Sequence, residues 1–212
     1  YAERFIEVQR TGFKRLEVFG EWANPYSTMS YSYEAAIARA FGDFVGKGMV
    51  YKGLKPVHWC YSCGTALAEA EVEYEDHTSP SVYVAFPVDP EIARHYPELE
   101  GGDWSVVIWT TTPWTLPANL AIAFHPEYDY SAVQVGGKGY IVATGLLEAV
   151  AQKCGWSNIR ELTRFRGRTL ERLKARHPFI ARDSLFVLGD YVTLDAGTGC
   201  VHTAPGHGHD DY

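Results

Sequence analysis

The chain holds 212 residues with a formal net charge of −7, 46% of them hydrophobic and 21% charged, the balance of a soluble globular protein rather than a disordered or fibrous one. An acidic surface repels phosphates, which argues against broad non-specific nucleic-acid binding and leaves any such contact local. No apolar run approaches the roughly 20 residues that span a bilayer.

Tyr1-Ala2-Glu3-Arg4 runs directly into a charged, periodic segment, with no signal peptide and no initiator Met, so the chain reads as a fragment of something longer. Phe5, Val8, Phe13, Leu16 and Val18 recur at helical spacing, and Asn24-Pro25 then breaks the chain. A second helix is predicted from about Ser32. Its stripe is Ala35, Ala36, Ile37, Ala40, Phe41, Phe44 and Val45, closed by Gly46 and Gly48. The stretch MVYKGLKPVHWCYSCG predicts a short strand, a proline turn and a knuckle carrying Cys60 and Cys63.

From about Thr78 short β-prone runs take over: SVYVAFPV, WSVVIWT, NLAIAF, YSAVQV and GYIVAT. Gly136-Gly137 predicts a hairpin turn. GLLEAVAQKCG predicts one short helix stopped at Gly155. SLFVLGDYVTL and GTGCVHTAPG add further strands. Arg164, Arg166, Arg168, Arg172, Lys174 and Arg176 crowd residues 160–176; a solvated helix face or loop and a patch contacting a nucleic-acid backbone are both readings of that run. The expected architecture is α/β: a helical, zinc-knuckle-bearing connector over residues 1–75, then a β-rich, barrel-like domain over residues 76–212.

Three places could carry chemistry. Thr110, Thr111 and Thr112 end a strand, and Pro113 stops the ladder there. Threonine favours strands, so propensity alone could place them. Alternation would put Thr110 and Thr112 on one face, where neutral hydroxyls beside free amides can hold a polar substrate or a water without adding charge. The second place is residues 195–212, where His202, His207, His209, Asp210 and Asp211 sit among glycines. Histidine with aspartate suits zinc, yet His207 and His209 lie in a glycine loop rather than on a stiff element, so a non-metal site is the better reading. The third is the CxxC at Cys60 and Cys63, half of a four-ligand zinc site. Isolated Cys154 and Cys200 read as small buried hydrophobes. No G-x-S-x-G or comparable nucleophile frame occurs, so a hydrolytic site here would use water as the attacker.

KPVHWCYSCGTALAEAEVEY, WTTTPWTLPANLAIAFHPEYDY and LDAGTGCVHTAPGHGHDDY, preceded by FKRLEVFGEWANPYSTM, together resemble the class I isoleucyl-tRNA synthetases. The likeness lies in the large insertion called connective peptide 1, the editing domain. Valyl and leucyl enzymes typically carry Thr-Thr-Arg-Pro at the corresponding place, where this chain has Thr112 before Pro113; that favours the isoleucyl branch. The resemblance implies hydrolysis of the ester of misacylated valyl-tRNA(Ile). A hydrophobic pocket gains only about 1–3 kcal/mol from one methylene, a limit for which isoleucyl-tRNA synthetase is itself the standard worked example.

It further implies that Thr110, Thr111 and Thr112 orient the terminal adenosine, the ester and the water. Trp114 would wall the pocket, His202 would block isoleucine, and Asp211 would hold the α-ammonium, with Asp210 the less favoured acid. The motif's glycines, Gly206 and Gly208 among them, would let the backbone approach the substrate. The implied partners are valine-bearing tRNA(Ile), valine or valyl-adenylate as a small ligand, and the rest of a cytoplasmic synthetase, with no membrane and a monomeric fragment. Editing needs no cofactor. Any structural zinc at Cys60 and Cys63 would be completed from outside these residues. ATP belongs to the parent enzyme alone, since signatures of HIGH and KMSKS type are absent. Two rival readings are a non-catalytic zinc-knuckle module that docks tRNA and an editing domain of valyl or leucyl type.

Overall fold

Two helices make up the first unit of the computed structural model, which describes residues 1–212 and divides between Leu54 and Lys55. Helix α1 (Ala2–Arg15) carries Glu3 in its first turn and Lys14 and Arg15 in its last, charges that complement the helix dipole. Helix α2 (Tyr31–Gly46) starts at Ser30, whose Oγ accepts from the Tyr33 amide at 3.4 Å. Neither helix buries a single residue. Phe13, Ile37, Phe41 and Phe44 all stay exposed, so the apolar stripes read from the sequence exist but are uncovered. No strand forms across Met49–Leu54.

The second unit, Lys55–Tyr212, opens with a small hairpin. Strand β1 (Trp59–Cys60) pairs antiparallel with β2 (Thr65–Ala66), and Gly64, at φ +65°, makes the tight turn between them. The boundary expected at residues 75 and 76 thus lies further along the chain than the division the contacts give, and the knuckle groups with the strands that follow it.

Those strands are β3 (Val82–Pro87), β4 (Trp104–Thr110), β5 (Ala121–Phe124), β6 (Asp129–Val135), β7 (Lys138–Ala143), β8 (Arg160–Arg166), β9 (Lys174–Arg176), β10 (Asp183–Leu188) and β11 (Cys200–Thr203). The short helices α3 (Ile92–His95) and α4 (Leu147–Cys154) interrupt them. Five strands form one sheet in the order β3-β4-β7-β6-β8, and four form another in the order β11-β5-β10-β9. The expected barrel does not close. Each sheet keeps its own edges, and one isolated bridge, Val88 to Ala175, spans the two.

Alternation explains the packing. Val106 and Ile108 of β4 and Ile141 of β7 face one core together with Ile122, Phe124 and Phe186 from the second sheet. Val107 and Val142 point the other way, to a smaller cluster with Leu146 and Val150 around α4. The central strands β4 and β7 of the five-stranded sheet are therefore covered on both faces. Gly155, at φ +66°, ends α4 as a left-handed cap.

The arginine-rich stretch is neither a helix face nor a loop. It forms β8, a turn and β9. Several of its cations are paired within the chain: Arg164 with Glu161, Arg166 with Asp129 at 3.2 Å, Arg168 with Glu127 and Lys174 with Asp183 at 3.5 Å. Strand also ends at Leu188, so the YVTL half of SLFVLGDYVTL is not extended. Cys200 is buried as expected, whereas Cys154 is only half-buried.

Candidate functional site

The site is built where β4 stops. Thr110 is buried at the strand end, and its Oγ1 accepts from the Thr112 amide at 3.1 Å and meets Thr112 Oγ1 at 3.2 Å. Thr111 is exposed, and its carbonyl accepts from Ser79 Oγ at 2.6 Å. Pro113 withholds a ladder donor, and residues Pro113–Ala118 coil into a 3-10 turn. That turn sends Thr115 inward while Trp114 stays 64% exposed.

Thr115 connects the strip to the far end of the sequence. Its Oγ1 donates to the Thr112 carbonyl at 2.9 Å, so its lone pairs face His202 Nε2, also at 2.9 Å. Asn119 Nδ2 donates to the Ala121 carbonyl and to His202 Nδ1, each at 2.8 Å. An amide nitrogen can only donate. These contacts assign His202 the neutral tautomer with its proton on Nε2. Burial pushes its pKa below the ordinary imidazole value; the nearby Asp211 carboxylate opposes that shift, and His177 and His207 add to it. A ring with both nitrogens occupied is a fixed wall, not a free base or a metal ligand.

Asp211 joins from the other side. Its Oδ2 accepts from the Ala204 amide at 2.7 Å, one residue past the end of β11, the strand that carries His202. A Cβ built on Gly208 would stand 2.7 Å from the Asp211 carboxyl carbon, so the missing side chain at Gly208 lets that carboxylate fold back onto the strand. A Cβ added at Gly206 would meet nothing within 4 Å, so no close approach requires a glycine there. Gly206 lies instead on a cleft of about 690 Å³ with His58, Trp59 and Glu69 on the knuckle side. Asp210 is exposed.

Thr110, Thr112, His202 and Asp211 therefore form one connected constellation, linked through Thr115 and the Ala204 amide. Thr111 borders it through its backbone. Trp114, Asp210 and Gly206 stand outside these contacts. Thr115 and Asn119 carry no motif that singles them out in the sequence. Asn119 is fully buried, and its Oδ1 has no partner, an open acceptor beside the histidine.

At the knuckle, the Cys63 amide donates to Cys60 Sγ at 3.3 Å. That bond is the main cause pulling the Cys60 thiol below the usual range, toward the thiolate a metal requires. No group of three or more potential ligands gathers there or elsewhere. The residues present supply two of the four donors a structural zinc takes, so they do not fit zinc by themselves. Cys200 is the opposite case: burial raises its thiol far above the ordinary range, which leaves it inert.

The family description "tRNA synthetases class I (I, L, M and V)" matches residues 1–191. Isoleucine–tRNA ligase of Nitratidesulfovibrio vulgaris strain DP4 is 57% identical over the whole of this chain, which spans 23% of that protein. The isoleucine–tRNA ligase of Geobacter sulfurreducens is 56% identical, again over all of this chain and 23% of its own length. Among solved structures, GlLeuRS-CP1 superposes with a TM-score of 0.53 at 17% identity, covering 62% of this chain and 57% of that one. The Plasmodium knowlesi cytosolic leucyl-tRNA synthetase editing domain gives 0.51 at 15% identity, covering 58% of this chain and 56% of its own. At such identities the likeness is one of fold, that of a synthetase editing domain, carried on a chain much closer in sequence to isoleucine–tRNA ligases. The chain belongs to the class I tRNA synthetases of the isoleucine, leucine, methionine and valine group.

Proposed function

We propose that this chain is the proofreading part of an isoleucine-specific synthetase and hydrolyses the ester of valyl-tRNA(Ile). The observation that supports this reading is the Thr115–His202 contact, which draws the hydroxyl strip and the Asp211 loop to one place. In the proposed reaction, water attacks the ester carbonyl, the ribose oxygen leaves carrying a proton, and free valine and tRNA result. Thr110, Thr111 and Thr112 bind the adenosine, the ester and the water through neutral hydroxyls and backbone groups, which positions the reactants without a protein nucleophile.

Asp211 keeps one oxygen on the Ala204 amide; the other is assigned to the α-ammonium, a charge-assisted contact. His202, neutral and fixed, acts as a steric stop that leaves no room for the extra methylene of isoleucine. Trp114 becomes a wall only if bound substrate turns it from solvent. Asp210 and Gly206 would act from the rim. A structural zinc at Cys60 and Cys63 would need two further ligands from outside residues 1–212, and ATP would serve only the synthetic site of a parent enzyme.

The test is a deacylation assay on the intact 212-residue chain with valyl-tRNA(Ile) and isoleucyl-tRNA(Ile) supplied separately. Loss of valine with retention of isoleucine is the expected result. Equal loss of both defeats the size-selection reading. No loss of either, from a folded chain, favours a docking module without catalysis.

A further inference from the structure

The β9–β10 hairpin carries a feature that the hydrolytic reading does not use. Its loop encloses a cleft of about 670 Å³, walled by Pro87, Arg176, His177, Arg182 and Asp183 among others. Arg176 and Arg182 both line it, on a chain whose net charge is −7. Ala175 is buried beneath them, so Lys174 and Arg176 share the outer face of β9 by alternation. Asp183 stands opposite Arg176 in the register, but its carboxylate pairs with Lys174 at 3.5 Å, and Arg176 has no acidic partner. Arg182 spends one nitrogen on the Pro117 carbonyl at 2.6 Å, while its Nε is buried with no acceptor. A buried donor without an acceptor and a guanidinium without an acidic partner belong to residues lining one cleft, which leaves that cleft short of an anion.

The location adds meaning. His177 Nε2 donates to the Leu116 carbonyl at 2.7 Å, and Arg182 holds Pro117. Two residues of the cleft wall, His177 and Arg182, thus hold the 3-10 turn carrying Thr115. An anion seated in the cleft sits on the back of the segment that positions His202.

We infer that the Arg176–Arg182 cleft takes a backbone phosphate of the RNA whose acylated end enters the site. This rests on the proofreading reading for the identity of the RNA. Planar guanidiniums suit phosphodiesters, and a contact of this kind fixes register without reading sequence. It also reconciles the acidic chain with an RNA ligand, since binding is confined to a local cationic cleft.

The experiment measures binding of unacylated tRNA(Ile) transcript to the 212-residue chain across a salt series, for the parent chain, Arg176→Ala, Arg176→Glu and the control Arg160→Glu. Arg160 is exposed on β8 in the other sheet and makes the same charge change away from the cleft. Arg176→Ala is expected to weaken binding about tenfold and to lower the salt slope by about one. Arg176→Glu should weaken it further, and Arg160→Glu should change it much less. Deacylation of valyl-adenosine, which has no RNA backbone, should be the same in Arg176→Ala as in the parent.

Equal losses in Arg160→Glu and Arg176→Glu overturn the inference, because general charge would then explain both. Unchanged tRNA affinity in Arg176→Ala and Arg176→Glu overturns it too, and leaves the proofreading reading standing if valyl-tRNA(Ile) is still cleaved. Arg176-dependent binding of a polyglutamate peptide with no Arg176 dependence for tRNA would assign the cleft to an acidic protein instead. Arg176-dependent tRNA binding by a chain that cleaves nothing supports the inference while removing the hydrolytic reading.

Discussion

His202 is the residue on which the rest of the constellation is hung, and Thr115 is what fixes it. The threonine hydroxyl can donate only once, to the Thr112 carbonyl, and accepts the imidazole N–H with what remains. Thr115→Val keeps the volume but removes both bonds and leaves Nε2–H buried without an acceptor. The expected cost is about 1–3 kcal/mol, the penalty for an unsatisfied buried donor. Urea unfolding of the variant should move its midpoint down with the slope against denaturant unchanged, and an unmoved midpoint would show that the bond carries no stability.

The same ring makes stability depend on pH. Burial lowers the His202 pKa in the folded chain, whereas the unfolded chain titrates near the ordinary value of about 6.5. Below that value the unfolded state binds a proton the folded state refuses, so stability falls as the pH drops through this range until the folded ring itself protonates. Above about 6.5 the contribution is complete. His202→Asn should therefore lose less of its own stability than the parent between pH 7 and pH 5.5, as read from unfolding midpoints. Parallel curves for the two chains would mean that the ring is solvated and the tautomer assignment wrong.

Elements differ in how much of them a local pattern can carry. Helix α2 and the β6–β7 hairpin were legible because their signals are short-range: an apolar stripe at helical spacing, and two glycines at positive φ between alternating runs. Strand β8 was not, since four of its seven residues are charged. Its place explains that composition. It is the outer strand of the five-stranded sheet, and charge on an exposed edge deters pairing with another chain. The pair of Arg164 with Glu161 is local, three residues apart, whereas those of Arg166 with Asp129 and of Arg168 with Glu127 join residues the sequence does not place together.

The barrel-like expectation falls short of a closed barrel for a related reason. A succession of strands fixes their number, while closure depends on which edges meet, and here the two sheets share one bridge. At the site, the threonine strip, His202 and Asp211 stood out as motifs. Thr115 and Asn119 did not, because their roles depend on contacts with a residue 87 and 83 positions away. Gly206 and Gly208 both stand in the motif, but only at Gly208 would a Cβ meet a carboxylate.

On the scale of the whole molecule, the two units bury very different amounts of themselves. Lys55–Tyr212 holds both apolar clusters, and its central strands β4 and β7 are covered on two faces. In Tyr1–Leu54 the helices bury no residue at all, so packing contributes little to hold them, and helices of this length are marginal in water without it. Amide exchange separates such regions, because protection tracks the free energy of local opening. Amides of α1 and α2 should exchange with protection close to that of fraying helices, while those of β4, β6 and β7 should persist to the limit set by global unfolding. The difference should survive Thr115→Val, which lowers the ceiling for the strands and leaves the helices where they were. If α1 and α2 are instead protected as strongly as β4, the helices are stabilised by burial absent from this structure, and the unfolding of the 212-residue chain is one cooperative event rather than the separate melting of a sheet-built domain and of two loosely held helices.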